Sequence, residues 1–138
     1  MPKRLPRLAL PFLFALLLSG CSEPLYQDIS NSELKALLQQ GVPLIDIRTP
    51  REWRETGIVP NSHKITFFKE DGSVDTAFFP SFDALVGDKE KAVALICRTG
   101  NRTKSLANYL TEKLGYKRVY NVTNGITAWI GEGNPVVR

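Results

Sequence analysis

Apolar and polar positions follow one another along this chain in blocks that predict strands and helices in alternation. Short apolar runs bounded by polar residues predict strands, and these runs lie at 42–48, 65–68, 92–96 and 119–122. Apolar residues at helical spacing predict helices near 30–41, 49–53, 78–86, 104–114 and 126–130. This alternation predicts an α/β sandwich with a mainly parallel sheet.

Two of the predicted helices begin with the same capping signal. Ser30 is followed three residues later by Glu33, and Thr49 is followed in the same way by Glu52. Pro50 then occupies the first helical position after Thr49, where a missing amide proton costs nothing. We therefore expect well-defined helix starts at both places.

The amino terminus has the layout of a secretory signal. A basic start is followed by an apolar segment over 8–18, which is too short to span a bilayer as a stable helix. Residues 18–21, Leu-Ser-Gly-Cys, resemble the bacterial lipobox, in which the cysteine is lipidated and becomes the mature amino terminus. We predict a signal peptide over 1–20, lipidation of Cys21, a linker over 21–29 and one domain over 30–138. A plain signal peptide, or an apolar helix interrupted by Pro11, is the alternative.

Removal of the signal peptide changes what the charge implies. The three basic residues of the segment account for most of the formal net charge, which falls from +4 to +1. A nucleic-acid partner is therefore not expected. The lipid on Cys21 predicts an envelope protein that is anchored in the membrane and faces the periplasm. Ser22, in place of Asp, favours the outer membrane if the host is Gram-negative.

The cysteine count limits the chemistry. The chain has two cysteines. If Cys21 carries lipid, Cys97 is left alone, which excludes an intramolecular disulfide and a cysteine-based zinc site. A single thiol exported to an oxidising compartment is a liability unless it is buried or used.

Cys97 lies where a parallel α/β sheet places its ligands, between the strand over 92–96 and the helix that follows. Loop amides and a helix amino terminus favour an anion there, and Arg98 and Arg102 add positive charge. Gly100 and Asn101 tolerate the positive φ angles that a tight loop needs. Cys97 is therefore a candidate nucleophile, and a buried structural cysteine is the alternative.

The sequence resembles a single-domain rhodanese over about 29–137. The segment over 97–103, Cys-Arg-Thr-Gly-Asn-Arg-Thr, is similar to the active-site loop of that family. The segments over 44–53 and 119–129 are similar to its first signature strand and to its closing strand, glycine turn and tryptophan helix. The resemblance implies a three-layer sandwich with a mainly parallel five-stranded sheet. It also implies catalysis by Cys97, without metal or organic cofactor, and substrate binding by Arg98, Thr99, Gly100, Asn101, Arg102 and Thr103.

The activity implied by the resemblance is transfer of sulfane sulfur through a persulfide on Cys97. The expected partners are a small anionic donor such as thiosulfate and a thiophilic acceptor, which is cyanide, a small thiol or a protein cysteine. Two alternatives stay open. One is a persulfide carrier or membrane-tethered interaction module without turnover. The other is phosphatase or arsenate reductase chemistry, although such loops place arginine six positions after the cysteine and Arg102 is at the fifth.

Asp46 ends the first signature strand and is the remaining candidate site residue. One interpretation is that its carboxylate orients Arg102 from behind the loop. The other is a helix cap or a local ion pair. The sequence leaves the two equally open.

Overall fold

The computed structural model describes residues 23–138, so the predicted signal peptide and Cys21 lie outside the described residues. The elements are, in chain order, β1 (Gln27–Ile29), α1 (Asn31–Gln39), β2 (Leu44–Asp46), α2 (Pro50–Thr56), β3 (His63–Lys64), α3 (Phe78–Val86), β4 (Ala92–Ile96), α4 (Asn101–Asn108), a π-helical turn (Tyr109–Lys113), β5 (Arg118–Val122) and α5 (Gly125–Gly131). Within this part of the chain, none of the helices has the length and apolar character needed to cross a membrane.

The five strands form one sheet in the order β1-β5-β4-β2-β3, and every neighbouring pair is parallel. Side chains of β4 alternate between two apolar clusters. Val93 and Leu95 pack with α3 and α4 on one face, and Ala94 and Ile96 pack with α1 and α5 on the other. The prediction of a three-layer α/β sandwich with a parallel five-stranded sheet is confirmed.

Both predicted capping boxes form. The Ser30 hydroxyl accepts the Glu33 amide while the Glu33 carboxylate accepts the Ser30 amide, and Thr49 and Glu52 do the same at the start of α2. Each helix therefore begins where the sequence places it.

The segment predicted as a linker contributes to the fold at its end. Residues 27–29 form the edge strand β1, in which Ile29 pairs with Val122 of β5. Ile29 and Tyr26 are both buried, so burial of these two side chains stabilises the strand. A linker over 21–29 is too long by these residues, because the domain begins before the first helix.

Two other element boundaries differ from the prediction. The strand expected at 65–68 is the short β3 over 63–64, and the following residues form an isolated antiparallel bridge between Phe68 and Val74. The helix expected from 104 begins at Asn101 and ends in the π-helical turn. There the Thr111 hydroxyl donates to the Ala107 carbonyl at 2.9 Å, within the widened turn.

The topology brings two loops together. β2 and β4 are neighbours, with Asp46 opposite Ile96, and the amide of Ile47 donates to the Ile96 carbonyl at 3.0 Å. Because the strands are parallel, the loops that lead into α2 and α4 leave the same edge of the sheet. The Cys97 loop therefore lies beside the first turn of α2.

Candidate active site

Cys97 directly follows β4, and only 1% of its surface is exposed. Its side chain belongs to the cluster formed by the sheet with α3 and α4. It is a free thiol. The sulfur therefore lies at the inner end of the loop, where almost none of the residue is accessible to solvent.

Two polar groups contact the sulfur. The amide of Gly100 donates to Cys97 Sγ at 3.2 Å, and the hydroxyl oxygen of Thr103 lies 3.4 Å from the same atom. Gly100 has φ +93°, the left-handed conformation that lets the loop turn its amide inward. The sulfur is therefore held by one main-chain donor and one hydroxyl.

The start of α5 holds the other side of the loop. The amide of Ile126 donates to the Cys97 carbonyl at 2.9 Å, and that of Thr127 donates to the Arg98 carbonyl at 3.2 Å. Gly125 makes this approach possible, because a Cβ there would lie 2.5 Å from the Cys97 carbonyl oxygen. With these carbonyls bound to α5, the loop is fixed with its Gly100 amide toward the sulfur.

The predicted loop residues divide into an exposed rim and a buried floor. Arg98, Thr99 and Asn101 are exposed, Arg102 is half-buried, and Gly100 and Thr103 are buried. Thr103 therefore lies under the sulfur instead of at the mouth. The expectation of a positive φ at Asn101 is wrong, because Asn101 is the first residue of α4 and Gly100 alone makes the turn.

Arg102 is bound by the carboxylate of Glu52, for which the sequence predicts only a role in the helix cap. Its two terminal nitrogens donate to the two oxygens of Glu52, at 2.9 and 2.6 Å. Burial raises the pKa of Glu52, but the hydrogen bonds and charge of Arg102, with the hydrogen bond from the Thr49 amide, lower it to about 2. The same hydrogen bond raises the pKa of Arg102, against the effect of burial. Glu52 therefore fixes both the start of α2 and the arginine of the loop.

Asp46 does not hydrogen-bond Arg102. Within residues 23–138 its side-chain hydrogen bonds all go to Arg48, the shortest at 2.7 Å, and both side chains are buried. Arg48 also donates to Thr56 Oγ1 at 2.8 Å and to the Gly57 carbonyl at 2.9 Å, so the pair joins β2 to the end of α2. The interpretation of Asp46 as the group that orients Arg102 is corrected to a local ion pair, because Glu52 occupies that role.

A cavity of about 280 Å³ lies beside the loop between α2 and α5. It is lined by Arg48, Glu52, Glu55, Thr56, Arg98, Ile126, Thr127 and Ile130. Arg98 takes part in no ion pair among the described residues, whereas Arg48 and Arg102 both do. Arg98 is therefore the cation of this cavity that is available to an anionic ligand.

Glu52 and Asn121 are site residues that the sequence did not predict. Glu52 carried only a capping signal, and its position beside the loop follows from the adjacency of β2 and β4. Asn121, in β5, is 2% exposed and bonds Thr103 under the sulfur. The available signal was a polar residue among apolar and aromatic neighbours in the strand predicted over 119–122. Within the described residues, no group of three or more His, Cys, Asp or Glu side chains is placed to hold a metal ion.

The chain is similar to known proteins in sequence and in structure. The sequence profile of the rhodanese-like domain family matches residues 30–132. The chain is 33% identical to the thiosulfate sulfurtransferase GlpE of Tolumonas auensis, covering 73% of this chain and 85% of that protein. It is 31% identical to a sulfurtransferase of Allochromatium vinosum, covering 84% and 91%. The solution structure of the polysulfide-sulfur transferase homodimer of Wolinella succinogenes superposes with a TM-score of 0.65 at 26% identity, over 82% of this chain and 79% of that one.

Three observations define the class of protein: a parallel sheet of this order, a cysteine loop between β4 and α4, and these matches. The chain belongs to the rhodanese-like domain family. Its sulfurtransferase relatives support a role within that family of activities.

Proposed function

We propose that this protein transfers sulfane sulfur from a small anionic donor to a thiophilic acceptor through a persulfide on Cys97. The observation that carries the proposal is the position of the sulfur, which lies at the inner end of a tight loop and accepts the Gly100 amide at 3.2 Å. The proposal requires a sulfur atom added to Sγ to extend from this floor toward the exposed rim. Main-chain donors in such a loop stabilise an anion without any reorganisation.

In the first step the Cys97 thiolate attacks the outer sulfur of a donor such as thiosulfate. A bond forms between the two sulfurs, and the bond from the outer sulfur to sulfite breaks. Sulfite leaves with the electron pair, so the protein carries a persulfide anion and the total charge is unchanged. Arg98, exposed at the rim and lining the adjacent cavity, is placed to attract the donor.

In the second step a nucleophile removes the outer sulfur. A thiolate acceptor attacks that sulfur, its bond to Cys97 Sγ breaks, and the Cys97 thiolate is released as the acceptor becomes a persulfide. Cyanide gives thiocyanate by the same displacement. Neither step changes the number of protons or electrons, so the cycle needs no cofactor.

Phosphate chemistry on the same loop is less well supported. An arginine that clamps a tetrahedral oxyanion must present its terminal nitrogens to the ligand. Both terminal nitrogens of Arg102 are engaged by Glu52. Arg102 is also one position nearer the cysteine than the resemblance to phosphatase loops requires.

The proposal is tested by assaying thiocyanate formation from thiosulfate and cyanide. We expect turnover by the wild-type protein, loss of activity in Cys97→Ala, and no hydrolysis of an aryl phosphate. A matched control is Cys21→Ala, which leaves the loop intact. Stoichiometric sulfur uptake without turnover would support the carrier alternative. Hydrolysis of the phosphate ester with tight vanadate inhibition would overturn the proposal.

We also propose that Cys21 carries lipid and anchors the domain to the cell envelope, facing the periplasm. The support is the lipobox-like sequence over 18–21 and the basic and apolar segments before it. Metabolic labelling with a clickable fatty acid tests this directly. We expect label on the wild-type protein and none on Cys21→Ala, while label on both would contradict it.

A further inference from the structure

A chain of hydrogen bonds runs from the surface of the sheet to the Cys97 sulfur. Asp28 Oδ1, on the edge strand β1, accepts Asn121 Nδ2 at 2.7 Å. Asn121 Oδ1 accepts the hydroxyl of Thr103 at 2.5 Å, and that hydroxyl oxygen lies 3.4 Å from Cys97 Sγ. These four residues come from β1, β5, α4 and the end of β4, so the sheet order and the position of α4 directly after β4 bring them together.

The orientation of the Asn121 amide is fixed by its outer partner. An ionised carboxylate only accepts hydrogen bonds, so the side-chain nitrogen of Asn121 must face Asp28. Its oxygen is then turned toward Thr103. Asn121 is 2% exposed and Thr103 is fully buried, so water does not compete for these contacts. The arrangement presents Thr103 with a fixed acceptor.

Thr103 has one hydroxyl proton and three acceptors for it. Asn121 Oδ1 is at 2.5 Å, the Gly100 carbonyl is at 3.0 Å, and Cys97 Sγ is at 3.4 Å. With the proton on the shortest contact, the hydroxyl oxygen turns a lone pair toward the sulfur. That suits a thiol, which donates its S–H, but not a thiolate, which requires a donor.

We propose that Asn121, oriented by Asp28, draws the Thr103 hydroxyl proton away from Cys97 and is a positioning residue that shifts the balance at the sulfur toward thiol. A thiolate has the Gly100 amide as a donor, and it gains the hydroxyl as a second donor only when that hydroxyl rotates toward Sγ and leaves Asn121. In the loaded state the negative charge lies on the outer sulfur, beyond this floor. This hydrogen-bond arrangement therefore acts on the first step of sulfur transfer, in which the Cys97 thiolate attacks the donor. Its role in catalysis rests on the proposed function.

The other charged groups around the sulfur do not take part in this series of hydrogen bonds. Arg98 and Arg102 lie in the loop, Glu52 faces it from α2, and Asp46 lies at the end of β2. They are the same in every variant needed for the test. A difference between variants therefore reports the Thr103 hydroxyl.

The test measures the pH dependence of thiolate ultraviolet absorbance, with the spectrum of the matching Cys97→Ala protein subtracted in each background. It does not depend on sulfur transfer, so it can fail or succeed independently of the proposed function. The principal variant is Asn121→Leu, which is close in volume. It leaves the exposed Asp28 without its partner, and it leaves the Thr103 hydroxyl with the Gly100 carbonyl and the sulfur. The Thr103→Val protein and the double variant complete a cycle.

We expect Asn121→Leu to raise the ratio of thiolate to thiol about three- to tenfold at a given pH, because the freed hydroxyl donates to a charged sulfur in preference to the Gly100 carbonyl. In the Thr103→Val background the same substitution should have no effect. If Asn121→Leu does not fold, Asp28→Ala is used instead, because it removes the group that orients the Asn121 amide. The change in the thiolate ratio that Asp28→Ala causes with Thr103 present, less the change that it causes in Thr103→Val, gives the same information. An unchanged ratio, a decrease, or an increase that persists without the Thr103 hydroxyl would overturn the proposal.

Discussion

Two arginine–carboxylate pairs connect α2 to its neighbours. They differ in burial and in the length of chain that separates the partners. Arg48 and Asp46 are two positions apart, and their side chains are 1% and 0% exposed. Arg102 and Glu52 are 50 positions apart, and their side chains are 27% and 16% exposed. The first pair joins β2 to the end of α2, whereas the second joins α2 to the loop that carries Cys97.

The difference separates stability from site geometry. A buried pair leaves an uncompensated charge in the interior if one partner is removed, so its loss affects the whole domain. A half-buried pair can be replaced by water, so its loss affects mainly the position of the loop. We therefore expect substitutions at Asp46 to act on folding and substitutions at Glu52 to act on sulfur transfer.

The largest expected effect is that of Asp46→Asn. It leaves the Arg48 guanidinium buried without the carboxylate that it hydrogen-bonds, and we expect the free energy of unfolding to fall by about 3–5 kcal/mol. Urea denaturation followed by circular dichroism measures the change. Glu90→Gln is the control, because Glu90 is exposed and in no ion pair of the described chain. A loss below about 1 kcal/mol would show that the pair does not hold the domain together.

A smaller effect on stability and a larger effect on activity are expected for Glu52→Gln. We expect a loss of about 1 kcal/mol from the ion pair, because glutamine keeps an oxygen that can accept the Thr49 amide. Release of Arg102 should lower the kcat/KM of sulfur transfer about tenfold, which corresponds to about 1.4 kcal/mol. The control is Glu33→Gln, which changes the equivalent capping carboxylate on α1 and is in no ion pair of the described chain. Equal effects of the two variants would remove the distinction between these glutamates.

The stability contributed by Glu52 should depend on pH in a defined direction. Its pKa in the folded protein is lowered from 4.5 to about 2, so the unfolded chain binds the proton first as the pH falls. The stabilisation is therefore complete above about pH 4.5 and is lost as the pH falls to about 2. Denaturation of wild type and Glu52→Gln across this range should show the gap between them closing toward low pH. A gap that stays constant, or widens, contradicts the assignment.

The smallest effect on stability is expected at the exposed rim. Arg98→Gln removes a cation that is in no ion pair among residues 23–138, so unfolding should change by less than about 0.5 kcal/mol. The KM for thiosulfate should rise about three- to tenfold with little change in kcat, because the lost attraction acts on binding. Lys104→Gln, an exposed cation one turn into α4, is the matched control. An effect on kcat alone would place Arg98 in the chemical step instead.

The local pair and the long-range pair also differ in how far the sequence predicts them. Thr49, Pro50 and Glu52 signal the start of α2 within a few positions, and Gly100 supplies the turn before α4 by its own conformational freedom. The partner of Glu52 is 50 residues away, and its identity depends on β2 and β4 being neighbours in the sheet. The periodicity of apolar residues predicts where strands lie in the sequence, but it does not predict their order in the sheet.

The contacts among Asp28, Asn121 and Thr103 below Cys97 could not be predicted from the sequence for the same reason. Asp28 lies in a segment that the sequence marks as polar linker, and only pairing of β1 with β5 brings it to Asn121. Burial of Tyr26 and Ile29 decides that pairing, and two apolar side chains are too few to predict a strand. Cys97 and its loop were predictable because their signals lie within seven consecutive residues.

The central claim is that Cys97 accepts a sulfane sulfur, and peptide mass spectrometry tests it most directly. The protein is exposed to thiosulfate, alkylated and digested with trypsin, which releases Cys97 in a peptide over 92–98. We predict a mass increase of about 32 Da, one sulfur atom, beyond the alkylating group. The increase should disappear after treatment with cyanide or a thiol. If the protein is shown to be folded and peptide 92–98 carries the alkylating group without the extra sulfur, the account is contradicted.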